Sequence, residues 1–125
     1  MQKVFYGLLD QICRSQGWVL GTHQGELVVA VPQADGKQQN IEVNEFQDSG
    51  QVALRIWSPV TQAAKIPADQ ALQVNFKLPH GALAVKDGTV VVVVTRLFNQ
   101  TNQADLTHVL QTVAHYAAFY ANHYA

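Results

Sequence analysis

Five histidines, one cysteine and nine carboxylates are the side chains of this 125-residue chain best suited to acid–base, nucleophilic or metal chemistry. Their spacing decides whether any of them can act together. His108, His115 and His123 fall in one C-terminal stretch with helical periodicity. At 1.5 Å and 100° per residue, His108 and His115 share a stripe but stand about 10 Å apart along the axis, too far to ligate one zinc ion. Helical ligand pairs need three- or four-residue spacing, so these histidines read as structural. Cys13 lies in the apolar series Phe5, Leu8, Leu9, Ile12, Cys13, where burial raises a thiol pKa and leaves it inert, even with His23 or His80 offered as a base. Glu42 and Glu45 point to opposite faces of one strand by parity and make a poor acid/base pair. Most other carboxylates fall in turns or on wet strand faces. None of the eight glycines builds a phosphate-binding loop between a strand and a helix. The expectation is a non-enzymatic chain with no catalytic residues, no cofactor and no metal.

Charge and composition narrow the partners. A net charge of −1, with basic residues scattered from Lys3 to Arg96, supplies no field for collecting phosphates, so nucleic acid is not expected. The single cysteine cannot form an internal disulfide. The opening Met1-Gln2-Lys3-Val4-Phe5 reaches Asp10 before any apolar run adequate for a signal peptide. The longest aliphatic run, Val90 to Val94, falls far short of the roughly 20 residues of a membrane-spanning helix. A cytoplasmic protein with no membrane partner is expected. With 48% hydrophobic and 14% charged residues, one packed core is the natural outcome at this length.

The elements that would position these residues follow from periodicity. Phe5, Leu8, Leu9, Ile12 and Cys13 define an amphipathic helix ending near Ser15 to Gly17. Four extended runs come next, at about Trp18–Thr22, Glu26–Pro32, Gln38–Phe46 and Gln51–Ser58, separated by Gln24-Gly25, Asp35-Gly36 and Asp48-Ser49-Gly50 as turn chemistry. Val52, Leu54 and Ile56 are assigned to the core and Ala53, Arg55 and Trp57 to the opposite face. In the preceding strand Ile41 and Val43 oppose Asn40, Glu42 and Asn44, which marks an antiparallel meander covered on one side. Pro59 is expected to close the meander, since it cannot continue a ladder. Pro67 starts a short connecting helix that breaks at Leu78-Pro79-His80-Gly81. A second hairpin, Gly81–Lys86 and Thr89–Phe98, turns at Asp87-Gly88. A long helix, capped by Thr101 or Asn102, carries Leu106, Val109, Leu110, Val113, Ala117 and Tyr120 inward. The fold class is α+β in a single domain, residues 1–125.

Two regions carry more apolar surface than one core demands. Val90, Val92 and Val94 face one way and Val91, Val93 and Leu97 the other, so this strand is either covered twice or placed at a subunit contact. The final helix adds Tyr116, Phe119, Tyr120 and Tyr124. Both features point to a homodimer. On the meander, Phe46, Ala53, Arg55 and Trp57 share the face opposite the core, and aromatic residues beside an arginine are the composition of binding surfaces. These four are the candidate protein-binding residues.

The order of elements, together with Gly25-Glu26-Leu27-Val28-Val29-Ala30-Val31, Val52-Ala53-Leu54-Arg55-Ile56-Trp57-Ser58-Pro59 and the stretch from Asn75 through Leu78-Pro79-His80-Gly81 to Val85, resembles the type III secretion chaperone-like fold, including the YbjN-like family. The likeness covers nearly the whole chain. It implies a homodimer that holds an extended segment of a client protein without nucleotide or catalysis. A chaperone-like or adaptor domain is therefore the leading expectation. A YbjN-like regulatory or stress-response protein is the alternative, with an immunity protein or a small enzyme behind it.

Overall fold

In the computed structural model, which describes residues 3–125, Phe5, Leu9, Ile12 and Cys13 are buried along one side of α1 (Tyr6–Gln16). The helix stops at Gly17, whose φ of 74° lets Trp18 N–H return to the Cys13 carbonyl at 2.9 Å. The chain then runs through β1 (Val19–His23), β2 (Glu26–Pro32), β3 (Gln38–Asp48) and β4 (Gln51–Gln62). After α2 (Ala68–Lys77) come β5 (Ala82–Lys86), β6 (Thr89–Leu97) and α3 (Gln103–His123).

All strand pairs are antiparallel, in the order β1-β2-β3-β4-β6-β5. Gln24-Gly25, Ser49-Gly50 and Asp87-Gly88 each hold two consecutive positive φ angles. Such turns match the twist of the strands they join, so these dipeptides set the register of three hairpins.

Alternation sorts the sheet into two faces. Val29, Ile41, Val43, Leu54, Ile56 and Val92 project to one side and are wholly buried. Burying each stabilises the fold by roughly 1.5–3 kcal/mol. α3 lies across this side, against β2, β3, β4 and β6, through Leu106, Val109, Leu110, Val113, Ala114 and Ala117. Asn102 caps it, its Oδ1 accepting from Asp105 N–H at 2.9 Å. α1 flanks α3 and β1. Both long helices thus pack on one face of the sheet, and the α+β architecture is the one the periodicity predicts.

Pro59 departs from expectation: β4 continues through it to Gln62, with a bulge between Pro59 and Thr61. The β3–β4 ladder runs only to Glu42 opposite Trp57. Beyond it side chains take over. Gln39 donates from Nε2 to Ser58 Oγ and to the Pro59 carbonyl, both at 2.9 Å, and the Ser58 hydroxyl donates to the Asn40 carbonyl. The N and C=O of one strand residue point to the same side. Pro59 therefore lacks its N–H on the β3 side, where the backbone ladder has already ended.

β6 lies inside the sheet, between β4 and β5. Val90, Val92 and Val94 sit beneath the helices, while Val91 and Val93 belong to the other face. Val91 is 3% exposed, closed in by its ladder neighbours Pro59 and Ala84. The doubly apolar strand is thus explained largely by its internal position, and it offers less free surface than its composition suggests. Among the described residues no helix is long and apolar enough to cross a membrane.

Candidate functional site

Among the described residues no element covers the face of the sheet turned away from α1 and α3, and register determines what gathers on it. One cross-strand row runs Gly21, Val28, Glu42, Trp57, Val93, Ala82 from β1 to β5. A second runs Phe46, Ala53, Leu97, and a third Asn44, Arg55, Thr95. Three of the four candidate binding residues keep exposed area here: Phe46, Arg55 and Trp57. Ala53 does not. It lies on the same face but is fully buried between its ladder partners Phe46 and Leu97, so it offers a partner no surface of its own and serves as the floor between two larger side chains.

The side chains that remain are held in place. Arg55 stacks its guanidinium 4.2 Å from the centre of the Phe46 ring. Trp57 donates from Nε1 to Asn44 Oδ1 at 2.7 Å, and Asn44 donates from Nδ2 to Glu42 Oε2 at 2.9 Å. The Lys86 ammonium sits 5.0 Å from the indole. A half-buried tryptophan whose N–H is satisfied and whose ring is flanked by a cation keeps one orientation, which lowers the entropy cost of docking something against it.

Beside Trp57 is a hollow of about 460 Å3. Its walls are Val19, Val28, Ala30, Trp57 and Pro59, with His23, Asn40 and Glu42 at the polar margin. The hollow exists because Gly21 and Ala30 bring almost no bulk to the face next to a large indole. A smaller polar hollow adjoins it, where His23, Glu26, Glu42, Asn44 and Lys86 meet. There Glu26 Oε2 is buried with no hydrogen-bond partner.

The described residues outside this face show no comparable arrangement. Burial, with a smaller contribution from the Asp10 carboxylate, pushes the Cys13 thiol up to about 11. Its sulfur is therefore protonated and covered, in keeping with its place in the apolar stripe. Glu45 faces the opposite side from Glu42 and accepts from Val4 N–H at 3.3 Å. His80 lies edge-on to His108 at 5.9 Å on the outer side of α3, near His115. Among the described residues no three His, Cys, Asp or Glu side chains gather closely enough to hold a metal ion. Tyr116, Tyr120 and Tyr124 stack along the end of α3, with Phe119 beside them 53% exposed.

Sequence reasoning missed Val19, Val28, Ala30, Asn44 and Pro59 as members of the site. In β2 both faces are apolar, so alternation carried no signal for Val28 and Ala30. Asn44 shares the strand parity of Glu42 and Phe46, but its bond to Trp57 depends on the β3–β4 register. No protein-family model matches this chain, and no curated protein matches it in sequence.

Proposed function

We propose that the chain is a non-enzymatic protein-binding domain, chaperone-like or adaptor, that acts as a homodimer and holds an extended apolar segment of a partner protein on its uncovered sheet face. The observation that carries this reading is the one-sided packing of the sheet. The long helices cover one face, and the other presents a fixed Trp57 beside an apolar hollow of about 460 Å3. Apolar area gathered around an oriented aromatic anchor is the usual form of a binding surface. The element order that resembles the secretion chaperone-like and YbjN-like folds supports the same reading, and a lone protonated thiol suits a reducing, cytoplasmic setting.

A peptide array of extended ten-residue sequences, graded from polar to apolar and aromatic, tests this directly. The wild-type chain should capture the apolar and aromatic members. Trp57→Ala should weaken that capture at least roughly tenfold, the scale of losing one interface anchor, while circular dichroism stays unchanged. Equal capture by the variant, or no preference for apolar peptides, overturns the reading.

A further inference from the structure

The two edges of the sheet are treated differently. In a two-residue hairpin the flanking residues exchange both backbone hydrogen bonds, and alternate residues beyond them turn their N–H and C=O away from the partner strand. Lys86 and Thr89 flank the Asp87-Gly88 turn, so Leu83 and Val85 of β5 face outward. The Leu83 groups are taken. Its N–H donates to Asn75 Oδ1 at 2.6 Å, and its carbonyl accepts from Asn75 Nδ2 at 3.2 Å. α2 thus stands against that edge.

β1 has no such guard. His23 and Glu26 flank the Gln24-Gly25 turn, so Leu20 and Thr22 present their backbone groups outward. No hydrogen bond to either of these outward pairs is found among the described residues. Protein edges are ordinarily blunted by lysine, proline, a bulge or a covering element. Val19-Leu20-Gly21-Thr22-His23 contains none of these side chains, and shortness is its only protection.

We infer that β1 pairs with β1 of a second copy of this chain, antiparallel about a twofold axis through Gly21. The inference rests on the reading above, because it names the surface of the proposed homodimer. In this register Leu20 exchanges two hydrogen bonds with Thr22 of the second copy and Thr22 exchanges two with Leu20, so the four outward groups of each strand are all satisfied. Val19 comes opposite His23, and Gly21 opposite itself. No formal charge meets its like across the axis, and a chain of net charge −1 sets no long-range barrier between copies. The register also completes the binding face. β1 forms the outer wall of the 460 Å3 hollow through Val19, Gly21 and His23. Pairing there joins two hollows into one trough across the axis, long enough for an extended segment. A strand from another protein would satisfy the same backbone groups, but it would leave the hollow bounded at β1.

Sedimentation velocity on the full chain at increasing concentration provides the test. The wild type should form a dimer. A Cβ at Gly21 meets nothing within 4 Å, so Gly21→Lys and Gly21→Glu should both fold, as checked by circular dichroism. Each alone should weaken the dimer at least about tenfold, since like charges directly opposite one another repel. An equimolar mixture of the two should restore it. Thr22→Pro, which removes an outward N–H without touching the β1–β2 ladder, should also be monomeric. A monomeric wild type overturns the inference, as do dimeric Gly21 variants or a mixture that stays monomeric. So does a monomeric wild type whose capture of array peptides is lost in Thr22→Pro, which would assign the edge to a strand of another protein. Capture by Trp57→Ala, measured in the Thr22→Pro monomer, whose substitution lies at a position of opposite strand parity to Gly21 and Trp57, reports on the face and separates failure of the edge from failure of the binding reading.

Discussion

Ile56 and Trp57 are neighbours in β4 and meet opposite environments. Ile56 points under α3 and is wholly buried, whereas Trp57 points to the uncovered face, half-buried, with its N–H tied to Asn44 and Lys86 above its ring. On one side of the strand apolar area holds the fold together. On the other, apolar area of similar kind is left for something outside the chain. Hydrophobic composition is nearly the same on the two faces of β2 and β6, so composition does not decide which face is core. The position of α3 does.

The largest expected effect lies on the covered side. Ile56→Ala should destabilise the domain by about 4 kcal/mol, because the site is hemmed in by strands and helix and cannot collapse around the lost atoms. Chemical denaturation measures it. A cost under about 1 kcal/mol would mean that the helix layer is loosely packed and would blur the distinction between the faces.

The buried Cys13 thiol sharpens the same comparison by pH. Its folded pKa of about 11 lies above the ordinary thiol value of 9.0, so its contribution to stability is fully present below pH 9 and fades as pH rises toward 11. The loss should amount to about 2–3 kcal/mol at 1.36 kcal/mol per pH unit. It should be absent from Cys13→Val when unfolding is followed from pH 8 to 11. A native thiol that iodoacetamide modifies at pH 8 as fast as a denatured one would show that the α1 stripe is open.

The smallest effect belongs to the open face. Asn44→Ala should cost only about 1 kcal/mol, since the freed indole N–H can turn to water. It should nevertheless broaden or shift the Trp57 emission and weaken peptide capture, because the ring loses its fixed orientation. A variant that loses stability like a core mutant would place Trp57 in the fold's own interior and collapse the difference between the two faces.

Much of the architecture was legible because it is local. The amphipathic stripe from Phe5 to Cys13, the cap at Thr101 or Asn102 and the Gln24-Gly25 and Asp87-Gly88 turns each depend on residues within a turn or two of one another. Leu54 and Ile56 were assignable to the core by parity alone, as were Phe46, Arg55 and Trp57 to the other face. Pro59 was misread, since proline stops a strand only where its missing N–H faces a ladder, and here the β3–β4 ladder has already ended and the Gln39 side chain takes that side. Ala53 joins the face that parity gives it, yet is fully covered there. Parity tells which face a residue joins, and says nothing about whether Phe46 and Leu97 will close over it.

The sequence by itself determined the kinds of element, their order and, in β3 and β4, which side chains would share a face, because 3.6- and 2-residue periods are written along the chain. Tertiary structure alone decided that β4 lies next to β6, that Gly21 and Ala30 leave a hollow beside Trp57, and that Asn75 closes one edge while β1 stays open. Those outcomes join residues dozens of positions apart, and no local pattern encodes the register that brings them together.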